Sequence, residues 1–169
     1  MKLILASSSP RRKELLGQIG VKFSVQPVDI DEEPLQGEIP ADYVQRLARE
    51  KAEACFFLTD KSSAVLGSDT TVVFAGEILG KPTDKEDAVA TLMRLSGNTH
   101  QVLTAVAVKS VDQMFISLVT TDVTFKTLTN AQCYAYWESG EPHDKAGSYG
   151  IQGLGAVFVK KIEGSYSAV

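Results

Sequence analysis

Leu3-Ile4-Leu5-Ala6 runs without a spacer into Ser7-Ser8-Ser9-Pro10-Arg11-Arg12, and this junction restricts the start of the chain to a strand that turns at once into a helix. Residues 2–6 read as a short buried strand. Ser9 has the side chain of an N-cap, and Pro10 suits the first helical position, where no amide hydrogen is needed. Leu15, Leu16 and Ile19 then supply an apolar stripe, with Gly20 as the stop. Arg11 and Arg12 fall in the first turn, at the positive end of the helix dipole, where each cation costs about 0.3–1 kcal/mol. Two readings follow. Either an anion sits at that end, with amides, serine hydroxyls and guanidinium groups converging on phosphate or carboxylate oxygens, or the helix start is solvated and its arginines pair with surface acids.

The rest of the chain alternates strand and helix signals. Residues 22–28 alternate as a strand, and 29–40 form an acidic, proline-containing loop that holds Glu32 and Glu33. Residues 41–58 form a helix in which Tyr43, Leu47, Ala48 and Ala52 share one face and Arg46, Arg49, Glu50 and Lys51 lie on others. The Val- and Thr-rich run 64–74 is the strongest strand pattern, and Ala75-Gly76-Glu77 turns it into a hairpin with Ile78-Leu79. Thr83-Asp84-Lys85-Glu86 has capping-box spacing for a helix that runs through Leu95, and Thr129-Asn130-Ala131-Gln132 opens another that ends near Gly140. Two long strands, 100–110 and 114–126, lie between them. After the glycine-rich segment 142–155 the chain returns as a strand over 156–162. Helices mixed with parallel and hairpin strands define an α/β fold with a mixed sheet.

Composition narrows the function classes. At 169 residues, 44% hydrophobic and 22% charged, the chain has the size and balance of one globular domain. A net charge of −4 argues against a nonspecific nucleic-acid or anionic-membrane surface. The apolar runs are of strand length and no signal-peptide pattern opens the chain, so a cytoplasmic protein without a membrane span is expected. Cys55 and Cys133 are far apart, each inside a helix, as reduced core thiols are, and His100 and His143 are too sparse for a zinc site.

Asp69 stands inside the interior strand pattern Val65-Leu66-Gly67-Ser68-Asp69-Thr70-Thr71-Val72-Val73. Burying an unpaired carboxylate is costly, so a lysine, arginine or divalent cation is expected beside it, unless backbone amides with Ser68 or Thr70 satisfy it structurally. Lys81, held between Gly80 and Pro82, is either a point charge for phosphate or a solvated loop lysine. Glu33 is a candidate second carboxylate for a metal. In Asp144-Lys145-Ala146-Gly147-Ser148-Tyr149-Gly150-Ile151-Gln152-Gly153 the glycines let the backbone approach a ligand or another strand. The Gln152 amide complements the adjacent N–H and carbonyl of a uracil or thymine edge, or it is a turn residue.

The ordered set Leu5-Ala6-Ser7-Ser8-Ser9-Pro10-Arg11-Arg12, Glu33, Arg49-Glu50-Lys51-Ala52, Gly67-Ser68-Asp69-Thr70, Gly80-Lys81-Pro82, Leu95-Ser96-Gly97 and residues 144–153 resembles the Maf family of nucleotide pyrophosphatases. The resemblance runs from residue 3 to the end. It implies a single Maf/Ham1 (ITPase-like) domain over 1–169, with a mixed twisted sheet and flanking helices forming two lobes around a cleft. It implies hydrolysis of a nucleoside triphosphate to monophosphate and pyrophosphate with Mg²⁺ or Mn²⁺, in a cytoplasmic homodimer. It places Ser9, Arg12, Glu33, Lys51, Asp69 and Lys81 in the catalytic cleft, with Glu33 and Asp69 as metal ligands and Asp69 as general base. Arg12, Thr70 and Gln152 would choose the substrate, and the Ser-Asp-Thr and Gly-Ile-Gln-Gly forms resemble the branch acting on dTTP and UTP. Family members continue past Ser165-Tyr166-Ser167-Ala168-Val169 into a Gly-Leu-Pro turn and a closing helix, which this sequence lacks. Two rival readings accompany the resemblance: a pyrophosphatase for modified nucleotides, and a nucleotide-binding regulator of septum formation that needs no catalysis.

Overall fold

The computed structural model describes residues 2–169. Seven strands, β1 (Leu3–Leu5), β2 (Phe23–Val25), β3 (Ala64–Phe74), β4 (Glu77–Leu79), β5 (Thr99–Lys109), β6 (Met114–Phe125) and β7 (Val159–Glu163), join four helices, α1 (Pro10–Gln18), α2 (Pro40–Phe57), α3 (Lys85–Leu95) and α4 (Asn130–Glu138). The sheet order is β2-β1-β3-β5-β6-β7, with β4 paired to β3. β1 runs parallel to β2 and β3, whereas β3–β4 and β6–β7 are antiparallel, so the sheet is mixed as the sequence implies. The chain separates into two compact units, 1–69 with 104–118 and 70–103 with 119–169.

In the first unit, β1 leads into α1 as the sequence predicts: the Ser9 hydroxyl accepts from the Arg12 amide, and Pro10 fills the first turn. No residue of α1 is buried, and Ile19 is 72% exposed, so the stripe expected of Leu15, Leu16 and Ile19 does not form a core face. The core is instead Leu5 and Ala6 with Val44, Leu47, Ala48, Ala52, Cys55 and Phe56 of α2 and Ala64 and Val65 of β3. Lys51 is buried in α2 along with Leu47, Ala48 and Ala52, rather than standing on a different face from them.

In the second unit, Ala75 and Gly76 both take positive φ, 52° and 83°, the turn that fits the twist of the β3–β4 hairpin. The box expected from Thr83 is displaced by one residue: Asp84 caps α3 by accepting from the Asp87 amide, and the Asp87 carboxylate accepts from the Thr83 amide. A carboxylate caps at least as well as a threonine hydroxyl, which explains the shift. The Thr129–Gln132 box forms as read. The glycine-rich segment folds into short 3-10 turns, and one of them, Leu154–Phe158, takes the first residues of the predicted last strand. A core of Val72, Leu92, Leu95, Val123, Phe125, Tyr136, Tyr149 and Phe158 packs beneath α3 and α4. Cys55 and Cys133 are both buried and free.

Candidate active site

Gly67 sets the geometry of the first unit. A Cβ at this point of β3 would lie 2.6 Å from the Ala52 amide nitrogen and closer still to the Ala48 carbonyl oxygen, so only glycine lets α2 sit on the strand. That approach brings Lys51, one residue before Ala52, to Asp69, two residues after Gly67. The Lys51 ammonium donates to Asp69 Oδ1 at 2.7 Å and pairs with Glu32 Oε1 at 2.6 Å. Lys51 and Asp69 are only 8% and 7% exposed, which makes this a buried ion pair with a half-exposed carboxylate at its outer side.

The two arginines of the first helix divide the two readings between them. Arg11 pairs on the surface with Glu14 at 3.1 Å. Arg12 turns inward, donates to the Ser7 hydroxyl at 3.2 Å, and acts electrostatically on both Asp69 and Glu32. Burial lowers the Arg12 guanidinium's hold on its proton, and the two carboxylates oppose that. For Asp69, burial raises the pKa above the ordinary carboxylate range, outweighing the lowering by Lys51 and Arg12, while nearby Glu32 adds to the rise. Desolvation thus outweighs the two cations at Asp69.

The loop that carries Glu32 is strapped to α2. Tyr43 donates its hydroxyl to the Glu32 carbonyl at 2.9 Å, and Arg46 Nη2 donates to the Glu33 carbonyl at 3.0 Å. Arg46 grips Glu38 with two bonds, 2.6 Å from Nε and 2.8 Å from Nη2, and its Nη1 reaches Glu50. Glu38 in turn accepts from the Leu35 amide. The Arg46 hydrogen bonds draw the Glu38 carboxyl down to about 2. Tyr43 is pushed up to about 12, chiefly by burial and then by Asp69 and Glu32.

Among the site residues read from the sequence, Arg12, Lys51 and Asp69 come together, with Ser9 capping the helix that presents Arg12. Glu33 lies one residue beyond the carboxylate that meets Lys51; its amide bonds Asp31 in an exposed turn, and the position beside Lys51 belongs to Glu32. Thr70 follows Asp69 and opens the second unit, half-buried. Lys81 is exposed after β4, where its charge acts on Asp144. Gln152 donates both amide hydrogens to main chain, to the carbonyls of Tyr166 at 3.0 Å and Val169 at 2.8 Å. Sequence reading missed Glu32, Tyr43 and Arg46 as parts of the site. Asp31-Glu32-Glu33 lies in an aperiodic loop, so no spacing tells which carboxylate turns inward. Tyr43, Arg46 and Glu50 did carry a signal, the i, i+3 and i+4 spacing of one helix face.

Glu32 and Asp69 converge on one cation and offer hard oxygen donors, as a magnesium or manganese ion requires. No group of three or more His, Cys, Asp or Glu side chains placed to hold a metal exists among the described residues.

The fold is one shared with Ham1-type proteins. The solved Ham1 protein of Staphylococcus aureus is similar with a TM-score of 0.52 at 16% identity, covering 74% of this chain and 72% of that one. A Mycobacterium abscessus structure described as a nucleoside-triphosphatase / dITP/XTP pyrophosphatase is similar with a TM-score of 0.51 at 16% identity, covering 74% of each chain. Within that fold the chain belongs to the Maf family, since the Maf-like protein family matches residues 2–169. A dTTP/UTP pyrophosphatase of Colwellia psychrerythraea is 59% identical over 99% of this chain and 81% of its own length. Proteins of the same description from Pseudoalteromonas translucida and a Shewanella species are 58% and 57% identical, covering 98% and 100% of this chain and 87% and 91% of their own lengths.

Proposed function

We propose that this chain hydrolyses dTTP and UTP to the nucleoside monophosphate and pyrophosphate, with Asp69 at the reacting end of the site. The observation that carries the reading is the Lys51 ammonium shared by Asp69 and Glu32, with Arg12 beside them, a buried arrangement of acid and base in a chain similar to enzymes of that description. Asp69 orients a water against the α-phosphorus and accepts its proton; the new phosphorus–oxygen bond forms as the bond from the α-phosphorus to the bridging oxygen breaks, and pyrophosphate leaves with the electron pair. Arg12 and Lys51 offset negative charge on the phosphates, and Lys81 is assigned the same role at the leaving pyrophosphate. Glu32 takes the place of Glu33 as the second carboxylate, because it is the one held at Lys51.

A magnesium or manganese ion bound by Asp69, Glu32 and the substrate would supply Lewis-acid polarisation of the phosphate oxygens. Thr70 and Gln152 are assigned to the base and sugar side. No helix among the described residues is long and apolar enough to cross a membrane, and we assign the enzyme to the cytoplasm as a homodimer.

The test is a pyrophosphate-release screen over canonical and modified triphosphates with Mg²⁺ and with Mn²⁺, run on the parent and on Asp69→Asn. The parent turns over dTTP and UTP fastest. Asp69→Asn keeps nucleotide affinity while turnover drops by roughly 10²–10⁴-fold, the usual worth of a general base. Unchanged turnover in that variant overturns the assignment.

A further inference from the structure

The glycine-rich turn of the second unit is built around one carboxylate that the proposed chemistry leaves unused. Glu141 Oε1 accepts from the Tyr136 hydroxyl at 2.6 Å and from the Gly155 amide at 3.1 Å, while Oε2 accepts from the Leu154 amide at 2.8 Å. The Tyr136 hydroxyl accepts from the Gly150 amide at 3.0 Å, closing a ring of four bonds across residues 150–155. Gly153 shows how tight the turn is: a Cβ there would lie 2.6 Å from Glu141 Cδ and closer still to Oε2. Gly150 and Gly153 therefore close over the Glu141 carboxylate. Burial resists charge on Glu141, and the Tyr136 hydroxyl with the two amides outweighs it, so the group stays more acidic than usual.

Gln152 lies in the stretch of chain that this ring encloses, between Gly150 and Leu154. With both amide hydrogens already given to the Tyr166 and Val169 carbonyls, what its side chain can offer is an acceptor, Oε1, in a fixed orientation. A fixed acceptor suits the N3–H of thymine and uracil and opposes the bare N3 of cytosine. We propose that Glu141 is a positioning residue for base selection, holding the 150–155 turn through Tyr136, Leu154 and Gly155 so that Gln152 presents its oxygen; this rests on the reading in which Gln152 meets the base.

The experiment measures kcat and KM for dTTP and dCTP in the full chain carrying Glu141→Gln, Tyr136→Phe, Gln152→Ala, or Glu141→Gln with Gln152→Ala. Glu141→Gln sets an amide against an N–H donor or loses a bond, whereas Tyr136→Phe removes one hydroxyl and keeps the ring that packs on Phe158, so it serves where the first variant folds poorly. The expected result is a preference for dTTP over dCTP that falls about tenfold in Glu141→Gln and about threefold in Tyr136→Phe. The fall appears as KM for dTTP with kcat nearly kept, and Glu141→Gln adds no further loss in the Gln152→Ala background. A merely structural role lowers both substrates alike. If Gln152→Ala changes the preference but the other two variants do not, the positioning role is overturned and the base-reading assignment stands. If Gln152→Ala leaves the preference unchanged, both fall.

Discussion

The two units treat buried charge in opposite ways. The first collects ions: Lys51, Asp69 and Arg12 compensate one another with few neutral donors between them. The second excludes ions: its buried polar groups are neutral, such as His100, Ser148 and Thr121, and its carboxylate at Glu141 is held by a hydroxyl and two amides. Asp69 and Glu141 show what the difference means for a carboxylate. One has a raised pKa and a flexible lysine ammonium as its exchangeable partner; the other is held acidic by the Tyr136 hydroxyl and two backbone amides. Exchangeable partners leave a group free for chemistry, whereas fixed partners make it architecture.

The largest effect is expected from removing the exchangeable partner. Lys51→Met leaves Glu32 and Asp69 facing each other without their shared cation, and breaking a buried pair in this way costs about 3–5 kcal/mol. Without Lys51, burial and the neighbouring Glu32 act on Asp69 with less opposition, so its folded pKa rises further above the unfolded one. The variant is then closest to the parent at low pH and loses stability as pH rises through that range. Denaturant unfolding at pH 5 and pH 8 measures it, and an equal loss at both would mean that Lys51 matters only for packing.

The second unit shows the opposite slope. His100 shares a 2.7 Å hydrogen bond with the Tyr149 hydroxyl and lies edge-on to Phe125, and its Nδ1 has no partner among the described residues. Burial lowers its pKa from 6.5 to about 4. Neutral His100 therefore contributes its full stability above pH 6.5, and on the order of 3 kcal/mol is lost as pH falls towards 4. His100→Gln should flatten this acid limb of the stability curve; a limb of unchanged depth would put its origin elsewhere.

How much of this was legible in the sequence follows the same division. Local rules were sufficient where neighbours in the chain decide the outcome: the Ser9 cap, the Thr129–Gln132 box and the strand 64–74 all form as read. Asp69 was visible as chemistry, because a carboxylate inside an apolar strand demands a partner, and Lys51 entered through the family resemblance alone. Which acid of Asp31-Glu32-Glu33 turns inward was not visible, since the choice is made by Tyr43 and Arg46 from another element. The glycines at 150–155 were read as room for a ligand or a strand. The group they accommodate, Glu141, lies in a preceding turn and carries no periodic signal. The direction of the Asp69 shift also needed the structure, because the sequence names the opposing charges and not the depth of burial.

The smallest effect should separate charge from geometry within the first unit. Arg46→Lys keeps the cation but gives up the paired grip on Glu38, and a single ammonium cannot also hold the Glu33 carbonyl and Glu50. The loss of stability is expected to be small, because a lysine ammonium still reaches one Glu38 oxygen and keeps most of the attraction. The effect should be local: amide hydrogen exchange at Leu35, whose N–H is held by Glu38, rises several-fold while Leu47 and Ala48 in the core of α2 stay protected. Turnover should fall by a few-fold with nucleotide affinity nearly unchanged, since the loop that delivers Glu32 to Lys51 is loosened and Asp69 is not. If Arg46→Lys leaves exchange at Leu35 as it was, charge alone holds the loop, and the first unit depends on its ions for attraction and not for placement.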